Sequence, residues 1–434
     1  YRKWVEENII NFNDMPVSQI PGSDIDEENL KKLQLVHGYS REDLSEIIYT
    51  MMKTAQEPTG SMGTDTPLAV LSDKPQNLFN YFKQVFAQVT NPAIDPIREE
   101  LVMSLTSFMG PRKNILDETP EHCRLIKFYS PVFSNTDLAK ITGSTNPEIK
   151  SVTIDALFPA GGSAGSLDKG IEKICNEAEA AVEKGVPYII LSDRRADENN
   201  IPVPSLLVCS AVHHHLIEKG LRTEAAIILE TGEAREVMHF ALLFGYGADA
   251  VNPWLVFASI YSLSGKDGDG CGNRFQEYEK NYIKAVNKGL LKILAKMGTS
   301  TLRSYRGGQV FEAVGLSRDF TQKYFSGTVT RIGGIGSDEV GREYSEKHSR
   351  AYLQKKKLLE SDGVYSYRRS GEKHAWNPES IYLLQWASRS GDYNKYKEFS
   401  SIVDRSNKKP HVIRGLFDFK KSVSIPLDEV EPLE

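Results

Sequence analysis

Hydrophobic residues from about position 123 to 297 fall into short apolar runs that alternate with longer helical stripes. The short runs are typical of buried strands, and the stripes repeat every three to four positions. The predicted strands are residues 124–128, 152–158, 188–192, 225–230 and 248–251. The predicted helices are residues 167–184, 204–219, 233–244 and 273–296. Strands joined by crossover helices predict an α/β fold with a mostly parallel sheet.

The first 122 residues show a different pattern, in which helical stripes are interrupted by turns. Ser40, followed three positions later by Asp43, is typical of a helix N-cap, and apolar residues at helical spacing follow it. Residues 58–67 are rich in Gly, Pro, Thr and Ser and break the pattern. A second apolar stripe over residues 78–89 predicts another helical segment, packed into the core.

Beyond residue 297 the chain becomes basic and glycine-containing, notably at 301–309 and 331–336. A helix is predicted from about 338 to 360, followed by loops and short helices. We therefore predict a helical, loop-interrupted segment at 1–122, an α/β core at 123–300, a basic, glycine-containing segment and closing helix at 301–362, and a loop-rich and helical C-terminal extension at 363–434.

Composition narrows the class of protein. The chain has 434 residues, of which 40% are hydrophobic and 26% charged, as in an ordinary globular protein. The 53 Lys and Arg against 58 Asp and Glu give a net charge of −5, which predicts neither a nucleic acid nor an anionic membrane as partner. The apolar runs are also shorter than the roughly 20 residues that cross a bilayer.

The four cysteines predict a reducing, intracellular compartment, either the cytoplasm or an organelle. Cys123, Cys175, Cys209 and Cys271 are too widely spaced for a disulfide framework or a close-spaced metal site. The chain begins with Tyr1 and lacks the apolar core of a signal peptide at this end, so we expect it to be cut from a longer polypeptide.

Charged and small polar residues follow the predicted strands. In a parallel α/β layer, ligands bind where strands end, because free backbone N–H groups converge there. The candidate cluster contains Asp193, Arg194, Glu230, Glu233, Arg235, Asn252, Arg303 and Arg306. Two interpretations stay open: a binding site, or structural ion pairs of Asp193 with Arg194 and of Glu233 with Arg235 that fix loops or a domain contact.

Three segments resemble common phosphate-binding or metal-binding motifs, but none has the residue spacing that the motif requires. The loop at 161–165 is no phosphate-binding loop, because Ile171 stands where lysine is needed. Consecutive helical side chains point about 100° apart, so His213–His215 cannot close on one metal ion, and we predict one histidine packed inward and two at the surface. Residues 267–272 imitate a calcium loop, but Tyr278 replaces its bidentate Glu. The motifs predict no catalytic, cofactor-binding or metal-binding residue.

Several longer strings occur together in one order. They are NPAIDPIRE at 91–99, ILSDR at 190–194, HHHL at 213–216, GEARE at 232–236, GYGADAVNP at 245–253, SYRG at 304–307 and RIGGIG at 331–336. In this order they resemble the central part of the glutamate synthase large chain, and the resemblance extends over essentially the whole sequence.

The resemblance implies an oxidoreductase of glutamate biosynthesis and ammonia assimilation. In that family a glutaminase domain of the glutamine amidotransferase type releases ammonia, which travels inside the protein to 2-oxoglutarate beside FMN. The flavin domain also carries a 3Fe-4S cluster. The resemblance implies that residues 363–434 lead into this FMN-binding barrel and stop short of it. It implies no cofactor in this segment, and partners in the glutaminase and FMN-binding domains of the same parent chain.

We therefore predict an inter-domain segment that spaces the glutaminase and flavin sites and helps to wall the ammonia passage. A dry conduit suits this role, because only neutral ammonia is a nucleophile. The segment alone is predicted to have no activity, and the oligomeric state of the parent is left open. The alternative is a free-standing α/β enzyme or binding module that acts on a small anion at the strand-end loops, with Asp193, Arg194, Glu233 and Arg303.

Overall fold

The computed structural model describes residues 1–17, 25–60, 63–85, 102–114, 116–265, 274–353, 358–406, 413–420 and 422–432. The helices are α1 (Arg2–Asn8), α2 (Glu27–Val36), α3 (Tyr49–Thr54), α4 (Asn135–Thr142), α5 (Ser166–Glu183), α6 (Ser205–Glu218), α7 (Val237–Gly245), α8 (Trp254–Ser264), α9 (Phe275–Lys296), α10 (Leu302–Tyr305), α11 (Arg318–Tyr324), α12 (Ser337–Leu353), α13 (Pro378–Ser390) and α14 (Tyr393–Ser406). The strands are β1 (Ile10–Asn11), β2 (Phe82–Gln84), β3 (Ser107–Met109), β4 (Ile126–Phe128), β5 (Ser151–Asp155), β6 (Leu157–Pro159), β7 (Tyr188–Ser192), β8 (Asn200–Pro202), β9 (Ala226–Glu230), β10 (Ala250–Asn252), β11 (Phe311–Ala313) and β12 (Val329–Thr330). None of the described helices has both the length and the apolar character that a bilayer-spanning segment requires.

Four strands form a parallel sheet in the order β10-β9-β7-β5. Ile190 of β7 lies between Thr153 of β5 and Ile228 of β9. Every residue of β7 and β9 is buried, as expected for parallel strands covered on both faces. The structure therefore confirms the predicted α/β fold with a mostly parallel sheet.

The two faces of this sheet pack into two different apolar clusters. In β7, Ile189 and Leu191 belong to the larger cluster, whereas Tyr188 and Ile190 belong to the smaller one. This alternation follows from the pleat, which points successive side chains to opposite faces. The larger cluster includes the buried faces of α5 to α9, and the smaller one includes residues of β3, β4 and α4. The sheet therefore lies at the centre of the core.

The described residues also form three smaller sheets. Two predictions differ from the structure in these sheets. The predicted strand at 152–158 is two strands, because Ala156 separates β5, which pairs with β7, from β6, which pairs antiparallel with β8. The predicted helical segment at 78–89 is wrong where the structure describes it. It starts with a 3₁₀ turn, Leu78–Tyr81, and continues as β2, which pairs with the distant β11. Residues 86–89 lie outside the described residues.

The N-cap predicted at Ser40 is confirmed. The Ser40 N–H donates to Asp43 Oδ2 at 2.7 Å, and the Asp43 N–H donates to Ser40 Oγ at 3.1 Å. A π-helical turn, Asp43–Ile48, follows and leads directly into α3. This exchange satisfies two backbone donors at the start of the helix.

The predicted divisions at 122, 300 and 362 stay a prediction. One continuous apolar cluster contains Leu30, Ile189, Phe320 and Tyr344, so the first three parts share a core. The helix predicted to reach residue 360 ends earlier, as α12 at Leu353. Further along, α13 and α14 pack against each other, and residues 422–432 are exposed.

Candidate functional site

Asp193 lies just after β7, at the carboxyl edge of the central sheet, and is buried. Its carboxylate accepts hydrogen bonds from Thr231 Oγ1 at 2.7 Å, from the Gly232 N–H at 2.8 Å and from Trp254 Nε1 at 2.8 Å. Burial raises the pKa of Asp193 to about 7, although these donors favour the ionised form. Because the donors follow β9 and β10, Asp193 ties three strand ends together.

Arg194 and Glu230 form an ion pair at this edge. Arg194 Nη1 lies 3.1 Å from Glu230 Oε1, and the guanidinium lies 5.1 Å from the centre of the Trp254 ring. Ser192 Oγ donates to the other Glu230 oxygen at 2.6 Å. The predicted pair of Arg194 with Asp193 is therefore wrong, since the adjacent strand supplies the partner.

Glu233 caps the helix that follows β8. It accepts from the Ser205 N–H at 2.9 Å and from Ser205 Oγ at 2.7 Å, at the first residue of α6, and also from the Tyr344 hydroxyl. A carboxylate is favourable at a helix N-terminus, where backbone donors and the positive end of the dipole meet it. Glu233 therefore fixes the start of α6 and links it to α12.

Arg235 does not pair with Glu233, which corrects the second predicted ion pair. Its Nε lies 3.1 Å from Asp43 Oδ1, and its Nη2 donates to the Gly38 carbonyl at 2.7 Å. Asp43 caps the helix near the start of the chain, nearly two hundred positions earlier. Arg235 thus clamps the N-terminal helices onto the carboxyl edge of the sheet.

Asn252 is fully buried and has a structural role. Its Nδ2 donates to the Phe133 carbonyl at 2.9 Å and to Asn135 Oδ1 at 3.1 Å. These contacts connect the end of β10 to the start of α4.

Arg303 and Arg306 lie at the opposite, amino edge of the sheet. Arg306 pairs with Asp249, which immediately precedes β10, and Asp249 Oδ2 also accepts from the Ile227 N–H of β9 at 2.9 Å. Arg303 is exposed on α10, and both arginines line a cavity at this edge. The structure therefore brings six of the eight candidate residues together and places the other two elsewhere.

Sequence reasoning missed three buried polar residues at the carboxyl edge: His37, Tyr39 and Lys347. Within the described residues, His37 Nε2 and the Tyr39 hydroxyl have no hydrogen-bond partner. Burial lowers the pKa of His37 to about 3. Lys347 Nζ donates to the Gln76 carbonyl at 3.1 Å. No motif marks these residues, because they lie far from the strand ends along the chain.

A cavity of about 610 Å³ opens beside these residues at the carboxyl edge. The segment after α2, residues 74–80, α12 and residues 358–372 supply its walls. We call it the carboxyl-edge cavity. Its lining includes Tyr39, Asn77, Arg235, Lys347, Asp362 and Val364.

Residues 32–317 match the family described as the glutamate synthase central domain. This chain belongs to the glutamate synthase central domain family. The large chain of Bacillus subtilis NADPH glutamate synthase is 43% identical over 100% of this chain and 28% of its own length. NADH glutamate synthase of Schizosaccharomyces pombe is 36% identical over 100% of this chain and 21% of its own length. The chloroplastic ferredoxin-dependent enzyme of Oryza sativa is 40% identical over 100% of this chain and 27% of its own length.

The chain thus spans about a quarter of the length of these curated relatives. Among solved structures, the flavin-binding domain of baker's yeast flavocytochrome b2 matches at 12% identity and a TM-score of 0.35, covering 74% of this chain and 96% of that chain. A TM-score this low supports no conclusion about the function of this chain. All eight candidate residues fall within the part matched to the glutamate synthase central domain, whereas Tyr344 and Lys347 lie beyond it.

The three consecutive histidines of this glutamate synthase central domain, His213–His215, point to three different partners. His213 Nδ1 accepts from Arg222 Nε at 2.9 Å, His214 Nδ1 lies 2.8 Å from the Ser210 carbonyl oxygen, and His215 Nε2 lies 2.6 Å from Glu179 Oε2. All three are partly buried, so the prediction of one inward and two surface histidines is wrong. The calcium-like loop at 267–272 lies outside the described residues.

Proposed function

We propose that this chain is the central segment of a glutamate synthase polypeptide that makes two glutamates from glutamine, 2-oxoglutarate and a reductant. The observation that carries the proposal is the match of residues 32–317 to the central-domain family. The full-chain alignment with relatives named glutamate synthase supports it. Its catalytic partners in this proposal are a glutaminase domain and an FMN-binding domain of the same polypeptide.

The source of electrons is proposed to lie in other parts of the enzyme. The relatives named as NADPH, NADH and ferredoxin-dependent enzymes all align with 100% of this chain at 36–43% identity. A segment shared across three electron donors is a poor candidate for the part that selects among them. We therefore assign the central segment a role common to all three.

That common role is to space two reactive sites and to help wall a passage for ammonia. The central sheet supports a rigid spacer, because all residues of β7 and β9 are buried and their ends are tied by Asp193, Glu230 and Glu233. Buried polar groups whose hydrogen bonds are satisfied hold one geometry strongly. A fixed spacer keeps the distance between the two sites constant during turnover.

The carboxyl-edge cavity is the proposed part of the passage. At two residues of its walls, burial disfavours the charged form: it lowers the pKa of Lys347 and raises the pKa of Asp362 to about 6. The same desolvation acts on an ammonium ion and so favours neutral ammonia, which is the reactive form. Walls of this kind suit the transfer of a small neutral nucleophile.

FMN and the 3Fe-4S cluster are proposed to belong to the neighbouring flavin domain. Among the described residues, no three His, Cys, Asp or Glu side chains converge as metal ligands. Cys175 and Cys209 are buried, and burial raises the pKa of each thiol to about 12. Thiols in that state are poor metal ligands.

The test narrows the carboxyl-edge cavity in the full-length enzyme. Val364 lines this cavity and is 39% exposed, so Val364→Trp adds bulk without entering the core. Val329 on β12 is 51% exposed and is not in the lining, so Val329→Trp is the matched control. Glutamine hydrolysis and glutamine-dependent oxidation of the reductant are measured together.

We expect Val364→Trp to lower the ratio of reductant oxidised to glutamine hydrolysed, because ammonia then escapes before it reaches 2-oxoglutarate. Ammonium chloride added directly should restore reductant oxidation, since it bypasses the passage. Val329→Trp should keep the wild-type ratio. A folded Val364→Trp enzyme that also keeps this ratio would contradict a passage through the carboxyl-edge cavity.

A further inference from the structure

A second cavity, of about 260 Å³, lies at the amino edge of the central sheet. Four arginines from separate segments reach it: Arg112 follows β3, Arg222 precedes β9, and Arg303 and Arg306 lie on and just after α10. Asp249 is the acidic residue in its lining. We call it the amino-edge cavity, and the proposed role in ammonia transfer does not involve it.

Asp249 holds two of these arginines in place. Arg222 Nη2 lies 3.0 Å from Asp249 Oδ2, and Arg306 Nη1 contacts Asp249 Oδ1. Arg222 also donates to the Gly247 carbonyl at 2.8 Å. Burial alone would raise the pKa of Asp249, but Arg306 and Arg222 together keep it below its usual value. The carboxylate is therefore ionised and shared between two guanidinium groups.

The other charges of the cavity are uncompensated within the described residues. Arg112 and Arg303 have no acidic partner there, and the buried Nε of Arg306 has no hydrogen-bond partner. Burial lowers the pKa of Arg112, and the nearby Arg303, Arg306 and Arg222 lower it further, whereas Asp249 opposes them in part. Four guanidinium groups against one carboxylate leave an excess of three positive charges.

His213 adds no positive charge to this count. Its Nδ1 accepts a hydrogen bond from Arg222 Nε at 2.9 Å, which requires an unprotonated nitrogen. Burial, together with Arg222, lowers its pKa to about 3. The imidazole is therefore a neutral support for Arg222.

We propose that the amino-edge cavity binds a small, multiply charged oxyanion, of the kind carried by a phosphate group or a dicarboxylate. Guanidinium forks match the oxygens of both groups and bind them in pairs of hydrogen bonds. The excess of three positive charges suits a dianion better than a monocarboxylate. The volume of about 260 Å³ is below the usual range for drug-sized ligands and therefore favours a compact one.

A small anion explains the cavity better than an acidic side chain from another protein does. Asp249 holds Arg222 and Arg306 in place, and the buried Nε of Arg306 has no partner among the described residues, so positive charge and a free donor are fixed before a ligand arrives. Pre-organised donors lose little entropy on binding, which benefits a ligand that makes few contacts. A protein partner would instead need a far larger surface.

The test is calorimetric titration of the full-length protein with potassium phosphate and, separately, with sodium succinate, at an ionic strength held constant with chloride. Binding of phosphate assigns the site to phosphate groups, and binding of succinate assigns it to dicarboxylates. Either result supports the proposal when the two cavity variants described next weaken the binding, because the proposed 2-oxoglutarate site of the full-length enzyme would itself take a dicarboxylate. Absence of binding by both probes up to 10 mM, roughly the weak end of small-ligand affinities, overturns it.

Two variants and one control locate the binding. Arg303→Gln and Arg112→Gln each remove one guanidinium that is not used in the Asp249 network, and we expect each to weaken binding about tenfold, the effect of one charge-assisted hydrogen bond. Arg318→Gln, at an exposed position on α11 outside the lining, should leave the affinity unchanged. Equal affinity in all three variants would place the anion elsewhere and overturn the proposal.

Discussion

Gly232 lies at the carboxyl edge, and a side chain there would meet the buried ring of His37. A Cβ built on Gly232 would lie 2.7 Å from His37 Cδ2, 2.7 Å from Nε2 and 2.9 Å from Cε1. His37 is 2% exposed, and its ring packs edge-on against Trp254, with 5.9 Å between ring centres. The imidazole therefore has little space into which it can move, and Gly232→Ala must displace it.

We expect Gly232→Ala to lower the free energy of unfolding by about 1–3 kcal/mol, the usual cost of overpacking a filled core. The cause is steric, since the backbone at Gly232 is not in the left-handed region that favours glycine. A double-mutant cycle isolates this cause: adding His37→Ala removes the obstructing ring. The loss of unfolding free energy in the double variant should be smaller than the sum of the two single losses by at least about 1 kcal/mol.

Urea denaturation measures these effects as shifts in midpoint at unchanged slope. Gly341→Ala is the matched control, because its Cβ meets Leu167 at an ordinary 3.5 Å and it lies inside helix α12. There alanine should stabilise the protein by about 0.5–1 kcal/mol. If Gly232→Ala is as stable as the wild type, or if the cycle shows no coupling with His37, the steric reasoning is refuted.

Three further predictions concern the polar groups at the two sheet edges. Asp249→Asn leaves two partly buried arginines without their shared, buried carboxylate and should cost about 3–5 kcal/mol in urea denaturation; a loss under about 1 kcal/mol contradicts this. Tyr344→Phe removes a donor to the buried Glu233 carboxylate and should cost about 1.5–3 kcal/mol by the same assay, whereas an unchanged midpoint contradicts it. Burial lowers the pKa of His213 to about 3, so below about pH 6.5 the unfolded chain binds a proton that the folded chain refuses. Stability should therefore fall from about pH 6.5 towards 3, less steeply in His213→Gln, and coincident profiles would contradict the pKa shift.

The central sheet was predictable because its strands have one strong signal. Residues 188–192 are almost continuously apolar between polar segments, and β7 has these same bounds. By contrast, helix α8 was not predicted, since every residue from Trp254 to Ile260 is buried and no polar face marks a helical period. Sequence periodicity detects amphipathic elements and misses those that are buried on all sides.

The position of most candidate residues at one edge of the sheet was predictable, but their ion-pair and hydrogen-bond partners were not. Adjacent charges suggested Glu233 with Arg235, yet Arg235 pairs with Asp43 and Glu233 caps α6. A buried charge pairs with whichever group the packing brings within hydrogen-bond distance. That group can be far away in the sequence, so a neighbouring charge is a poor guide to the partner. His37 and Lys347 had no signal at all, since nothing in their local sequence shows that tertiary contacts bury them.

The two edges of the sheet differ in how their charges are used, and this difference separates structure from recognition. At the carboxyl edge, Asp193, Glu230 and Glu233 accept hydrogen bonds from neighbouring strands and helices, so these carboxylates hold the fold. At the amino edge, Arg112 and Arg303 line a cavity without an acidic partner among the described residues. Groups that are fully paired confer rigidity, whereas donors left available confer binding. The strand-end cluster therefore suits a spacer, and an anion would be recognised at the opposite edge.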